Sequence, residues 1–306
     1  MMPTSIVLRL TPPQVELAYR DLDGAHIQAA FLDLVREVAP EVAMALHEGN
    51  RLRGYAIGVV PFPRIGGGVG RRGGERSDRV EDPFIDLRIA CLDDALLPVI
   101  LEALIGRLTP GGGGGDSSSF LHFGEMLFSI REVFASERSA HPWVASVTEE
   151  ELERNASSLQ TFIPIDFVSP TLFQVGDVQL PLPVPALVFG GLYRRWGAAA
   201  RGPLPFDAAT FEMLLERHLT IGWVRRLKTA RWRVSKGTVL TGFFGEVVFQ
   251  IVRRPPSAFI RLVNLLADAA FFTGVGKHTT QGMGMIRRHP ERRTHQETGG
   301  EGNSTS

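Results

Sequence analysis

The stretch Phe272-Thr273-Gly274-Val275-Gly276-Lys277-His278-Thr279-Thr280-Gln281-Gly282-Met283-Gly284-Met285-Ile286 constrains this chain more than any other. Its four glycines, in the frame G-x-G-x5-G-x-G, allow positive φ and close approach of the backbone to a neighbour. A Leu- and Ala-rich helical segment precedes them and a short apolar strand follows. Lys277, His278 and the two threonines add donors, so the loop is expected to face a polyanion. It is not a nucleotide P-loop, because His278 follows Gly276-Lys277 where that motif needs Ser or Thr. Element order excludes a dinucleotide fingerprint, which runs strand, loop, helix.

The apolar pattern around this loop falls into two βαββαβ units. Ser5 to Leu10 reads as a strand, and Ile27, Ala30, Phe31, Leu34, Val35 and Val38 then recur at helical spacing. A short helix opening at Pro40 leaves His47 in its last turn, and strands follow near Gly54 to Pro61 and Phe84 to Leu92. Asp93-Asp94 caps the next helix, and Phe120 to Phe134 reads as a last strand region. A polar connector, 139–158, leads to a second pass. That pass reads as strand (Phe162 to Phe173), helix (Pro185 to Trp196, with a further piece at Phe206 to Leu219) and hairpin (Trp223 to Val252). A helix (Ser257 to Thr273), the glycine loop and a final strand complete it. The pattern predicts an α+β fold of tandem ferredoxin-like (RRM-like) domains, 1–138 and 159–290, each with helices on one sheet face and the other face open to a ligand or partner. Residues 291–306 have nothing to bury and read as a disordered tail.

The formal net charge is zero, so nucleic-acid binding has to come from the placement of basic residues. Between Trp223 and Gly237 stand Arg225, Arg226, Lys228, Arg231, Arg233 and Lys236 without an acidic residue. In a strand Arg231 and Arg233 share one face while Trp232 and Val234 take the other. Such a row can track an RNA backbone or be a solvated outer strand. The glycine- and arginine-rich insert from Arg64 to Arg79 reads either as a solvated loop or as an arm that orders on RNA. Cys91 is the single cysteine, which excludes an internal disulfide and a Cys-cluster zinc site and suits a buried strand position. No Asp/Glu/His cluster has metal-ligand spacing, so neither metal nor cofactor is expected. No stretch approaches a membrane span, and a soluble cytoplasmic protein is expected. Of eight histidines, His289 and His295 fall to the tail, His218 to a polar helix end, His122 to an alternating strand and His141 to the connector, leaving His47, His26 and His278.

Three motifs resemble one family. The glycine loop before the last strand resembles the signature of the RAMP superfamily of CRISPR-associated proteins. Asp166-Phe167-Val168-Ser169-Pro170-Thr171-Leu172-Phe173 and Leu46-His47-Glu48 ahead of a strand narrow the resemblance to the repeat-processing endoribonuclease family Cas6, over roughly residues 6 to 288. That resemblance implies a metal-independent endoribonuclease that cuts CRISPR precursor RNA within its repeats. The ribose 2′-hydroxyl would attack and leave a 2′,3′-cyclic phosphate and a 5′-hydroxyl. It implies His47 as the catalytic histidine, with Arg53 where the family has a lysine and Phe31-Leu32 near the position of its tyrosine. His26, at the start of the first helix, is a second catalytic candidate. RNA contacts are implied for Gly274, Gly276, Lys277, His278, Thr279, Gly282, Gly284, Ser169 and Thr171, beside Arg231 and Arg233 of the basic hairpin. CRISPR repeat RNA is the implied partner, with other effector subunits a further one. A RAMP subunit that holds guide RNA without cutting it stays open: His47 with Arg53 favours the enzyme, and the absent tyrosine favours the binder. An unrelated RRM-like protein is the third reading, resting on Gly242-Phe243-Phe244-Gly245.

Overall fold

A computed structural model of the chain describes residues 1–12, 22–48, 54–60, 84–108 and 120–289. Arg53, the insert from Arg64 to Arg79 and the segment 291–306 lie outside the described residues.

The first unit runs β1 (Thr4–Thr11), α1 (Gly24–Arg36), α2 (Pro40–Glu48), β2 (Tyr55–Val60), β3 (Ile85–Cys91), α3 (Leu96–Leu108), β4 (Phe120–Phe123) and β5 (Met126–Phe134). Its antiparallel sheet has the order β2-β3-β1-β5-β4. The strand region expected over 120–134 is therefore a hairpin, turning at Gly124 with φ +64°. Alternation in β1 decides which face is which: Ile6, Leu8 and Leu10 join Ile27, Phe31, Leu34, Ile100 and Leu104 in one core beneath α1 and α3. A short strand β6 (Ala145–Ser146) pairs with the start of β1. Helix α4 (Glu149–Asn155) begins at a capping box, in which Thr148 and Glu151 satisfy each other's backbone N–H groups.

The second unit runs β7 (Phe162–Thr171), β8 (Phe173–Val175), β9 (Val178–Leu180), α5 (Pro185–Ala199), α6 (Ala208–His218), β10 (Leu219–Ser235), β11 (Thr238–Ile251), α7 (Ser257–Thr273) and β12 (Ile286–Arg288). The sheet order β10-β11-β7-β12 is antiparallel throughout, with β8 and β9 forming a separate hairpin. Its core is aromatic: Phe167, Phe189, Phe211, Phe249 and Phe259 are all buried. In both units the last strand lies beside the first, so the chain is a tandem pair of ferredoxin-like folds.

The expectation of an open face on the first sheet is corrected. Val7 and Val60 on that face are buried against Trp143 and Met285, with Phe271 of α7 packed alongside. Two β-branched apolar side chains there would lose roughly 1.5–3 kcal/mol each by staying in water, so the second unit covers them. Arg88 of β3 is enclosed with them. Its Nε donates to Ser5 Oγ at 2.9 Å, its terminal nitrogen donates to the Phe271 carbonyl, and its guanidinium lies 5.2 Å from the Trp143 ring and 4.4 Å from the Phe271 ring. Burial pushes the Arg88 guanidinium down to about 9.

A second bridge is the long β10–β11 hairpin. Trp232, Val234 and Leu240 near its tip belong to the core of the first unit, together with Leu172 and Met283. The Trp232 indole N–H donates to the Gln281 carbonyl at 2.7 Å, tying hairpin to glycine loop. Trp232→Ala is expected to cost about 3–5 kcal/mol, read as a lower urea midpoint. Cys91 is buried as expected, and burial, helped by Asp93 and Asp94, pushes its thiol up to about 12. The folded chain should therefore resist alkylation at pH 8, and modification in urea should be complete; equal rates in both would contradict the buried placement.

Candidate functional site

The glycine loop is built from the end of α7 onward, and several of its backbone N–H groups are bonded within the protein. Gly274 donates to Ala270 O (2.9 Å), Val275 to Gly284 O (2.8 Å) and Lys277 to Leu172 O (2.9 Å). Gly282 donates to Ile57 O and Gly284 to Pro170 O, each at 3.0 Å. These five N–H groups are bonded within the protein: Gly282 holds Ile57 of β2, Gly284 holds Pro170 of β7 and Lys277 holds Leu172 just past β7. The physical reason is burial, since a backbone N–H enclosed between two sheets has to find a protein acceptor. Two glycines are required by this closeness. A Cβ on Gly276 (φ +81°) would sit 2.5 Å from Leu172 O, and one on Gly284 (φ +70°) 1.9 Å from Val275 O.

Ser169 and Thr171, at the end of β7, are also bonded within the protein. Both are fully buried; Ser169 Oγ accepts from the Met285 N–H (2.9 Å) and Thr171 Oγ1 donates to Ser169 O (3.1 Å). Thr279 is buried as well. Among the loop side chains that reach the surface are Lys277, whose ammonium rests on Gln174 of β8, and the half-buried His278. His278 has φ +58°, a left-handed conformation uncommon for a residue with a side chain.

Arg195 of α5 was not singled out by sequence reasoning, although it holds the loop from beneath. Its guanidinium donates to Thr273 O (3.1 Å), Gly274 O (2.7 Å) and Gly276 O, and burial pushes it down to about 10. The only hint in the sequence is an arginine pair, Arg194-Arg195, inside an otherwise apolar helix. Also missed were two glutamines and a tyrosine. His278 Nδ1 lies 2.6 Å from Gln281 Oε1, Gln281 Nε2 donates to Gln28 Oε1 at 3.0 Å, and Gln28 Nε2 donates to the Tyr55 hydroxyl at 3.4 Å. Tyr55 in turn packs on Phe31 with ring centroids 5.0 Å apart.

The loop meets the N-terminus of α1 at Gly24, where a Cβ would be 2.5 Å from Gln281 O, and His26 lies two residues on. Asp23 caps that helix by accepting the His26 N–H, and the His26 Nδ1 is 3.4 Å from the same carboxylate oxygen. The His26 ring lies under the β4–β5 turn, where a Cβ on Gly124 would be 2.9 Å from it. His47 stands in the last turn of α2 and is exposed. Of the discounted histidines, His289 does not join a tail: its N–H donates to Pro164 O at 3.2 Å and its ring is 3.7 Å from Asp166. His218 is buried, not polar-surface, with Nδ1 3.1 Å from Val252 O. Along β10, Arg225, Arg226, Lys228, Arg231 and Arg233 are exposed while Trp232 and Val234 are buried, so the hairpin shows a cationic outer face.

Two descriptions of one family together account for nearly the whole chain: the CRISPR Cas6 N-terminal domain over residues 2–153 and CRISPR-associated endoribonuclease Cas6 over residues 165–286. The chain belongs to the Cas6 family. A CRISPR-associated endoribonuclease Cas6 from Streptococcus thermophilus is 25% identical over 133 residues, a match that takes in 44% of this chain and 53%, about half, of that relative. Among solved structures, a Cas6 product complex has a TM-score of 0.76 at 26% identity, covering 94% of this chain and 100% of the other. Thermus thermophilus Cas6 has a TM-score of 0.69 at 26% identity, covering 94% and 98%. A RAMP protein binding different RNA substrates has a TM-score of 0.56 at 15% identity, covering 94% of this chain and 100% of that one, a likeness of fold alone.

For this Cas6 chain, Gly284→Ala is expected to lower stability by about 3 kcal/mol or more, through a left-handed φ and a backbone clash together. Gly237→Ala has the same φ problem (φ +82°) but open space around it, and should cost about 1–2 kcal/mol. Urea melts of the two variants measure the difference; equal losses would mean the close approach to Val275 O has no energetic weight.

Proposed function

We propose that this chain cuts CRISPR precursor RNA within its repeats as a metal-independent endoribonuclease. The observation that carries the reading is the exposed imidazole of His47 in the last turn of α2, in a chain whose fold spans the full length of a Cas6 product complex. The ribose 2′-hydroxyl attacks the adjacent phosphorus in line, and the products are a 2′,3′-cyclic phosphate and a 5′-hydroxyl. An imidazole serves such a step as base toward the 2′-hydroxyl or as acid toward the departing 5′ oxygen. His47 takes one of these roles, and Arg53 stabilises charge on the transition state. The outer face of β10, with Arg231 and Arg233, and the side chains of Lys277 and His278 hold the RNA backbone by charge and hydrogen bonds.

A second reading, a guide-RNA-binding subunit without cleavage, is favoured by one observation: Phe31 is buried and carries no hydroxyl. The two readings separate in one assay. Full-length protein is incubated with end-labelled repeat RNA in chelator, beside RNA with a 2′-deoxy substitution at the scissile position and beside His47→Ala. Cleavage that persists in chelator, stops with the 2′-deoxy substrate and falls at least about a hundredfold in His47→Ala supports the nuclease. Loss of cleavage in chelator rejects the mechanism, and tight binding without any cut supports the binder.

A further inference from the structure

His278, Gln281, Gln28 and Tyr55 form one hydrogen-bonded chain, and the role inferred for it rests on the nuclease reading. Gln281 presents its amide nitrogen to Gln28 Oε1 (3.0 Å), which leaves its carbonyl oxygen facing His278 Nδ1 (2.6 Å). An oxygen acceptor there requires a proton on Nδ1. The neutral ring then carries its lone pair on Nε2, so one tautomer is selected. Turning the Gln281 side chain over by itself would oppose its oxygen to that of Gln28, so the two amides hold or change orientation together, with the Tyr55 hydroxyl 3.4 Å from the buried Gln28. The N-terminus of α1 presses on the same residue: a Cβ on Gly24 would lie 2.5 Å from Gln281 O. His278 is also kept in a left-handed conformation at φ +58°, which persists only where its surroundings impose it.

We propose that His278 is a second catalytic imidazole, that its Nε2 is the general base of the RNA cleavage, and that Gln281, oriented by Gln28, is its positioning residue. Nε2 takes the proton of the ribose 2′-hydroxyl as that oxygen bonds to phosphorus. The bond from phosphorus to the 5′ oxygen breaks, and the His47 imidazolium gives a proton to the departing oxygen. One proton is taken and one is returned, and no further reactant is needed. His47, exposed in the last turn of α2, takes the acid role. Tyr55, where the chain of hydrogen bonds ends, is the first residue of the strand that follows the helix of His47.

The test uses the full chain with 15N-labelled histidine, repeat RNA, and the variants His278→Asn, Gln281→Met and Gln281→Glu. Asparagine tolerates the left-handed backbone and offers an N–H to Gln281, but it has no nitrogen that can accept a proton. His278→Asn is expected to cut at least about a hundredfold more slowly in single turnovers at saturating protein, where any loss of RNA affinity does not enter the rate. Long-range 1H–15N spectra should show the Nδ1–H tautomer at His278 in wild type and in Gln281→Glu, which keeps the acceptor. That tautomer should be lost in Gln281→Met, with kcat lowered and KM retained. A wild-type rate in His278→Asn while His47→Ala is inactive overturns this proposal and leaves the nuclease standing. An Nε2–H tautomer in wild type overturns it as well. A wild-type chain that binds repeat RNA and never cuts overturns the nuclease reading, and the role of His278 with it.

Discussion

Everything in this molecule depends on one short exchange of backbone hydrogen bonds. Gly282 and Gly284 donate to Ile57 O and Pro170 O, and Lys277 donates to Leu172 O. One loop thereby grips a strand of the first sheet and the end of a strand of the second. Each such bond contributes only about 1 kcal/mol net, but leaving any of the buried groups unmade would cost about 1–3 kcal/mol. The contacts therefore act together, and small shifts of the loop are penalised. Side chains at 276 or 284 would block the approach outright.

Around that clasp the two units share apolar surface in two places. Trp232, Val234 and Leu240 leave their own sheet for the core of the first unit, and Val7, Val60, Trp143 and Met285 form a smaller cluster between the sheets. Two buried arginines reinforce the junction. Arg195 collects three carbonyls where α7 gives way to the loop, and Arg88 lies between the rings of Trp143 and Phe271. A guanidinium out of water is costly unless its donors are used. Three carbonyl acceptors meet that need for Arg195, and a hydroxyl, a carbonyl and two aromatic faces do much of the same for Arg88. A rigid junction keeps α1, β2 and the glycine loop in register. On the surface side of it stand His26, His278 and Lys277, while the cationic face of β10 extends outward.

Element order and type were legible because the apolar periodicities are strong. The stripe of Ile27, Phe31 and Leu34 and the alternation of Ile6, Leu8 and Leu10 both found their core. The alternation of Arg231 and Arg233 with Trp232 and Val234 correctly separated exposed from buried positions in β10. For the glycines the sequence showed the backbone angles but not the neighbours. Positive φ was inferred correctly, but glycine permits close approach to any neighbour, and here the neighbour is protein. The internal bonds of Ser169 and Thr171 were not legible, since a hydroxyl looks alike in sequence whether it meets solvent, a buried N–H or a carbonyl. Gln28, Gln281 and Tyr55 gave no signal at all. They lie far apart in the chain and meet only when α1, β2 and the loop converge.

By itself, the sequence determined the local structure: two βαββαβ passes, a glycine loop with left-handed positions, and a strand with arginines on one side. These follow from periodicity and from φ restrictions, which act between near neighbours. Tertiary structure alone decided which groups remain available to a ligand. Packing took the N–H groups of Gly274, Val275, Lys277, Gly282 and Gly284 into protein hydrogen bonds, and convergence of distant segments built the Gln28–Gln281–His278 chain. Availability of a polar group depends on what else packs against it, and that is a property of the assembled fold.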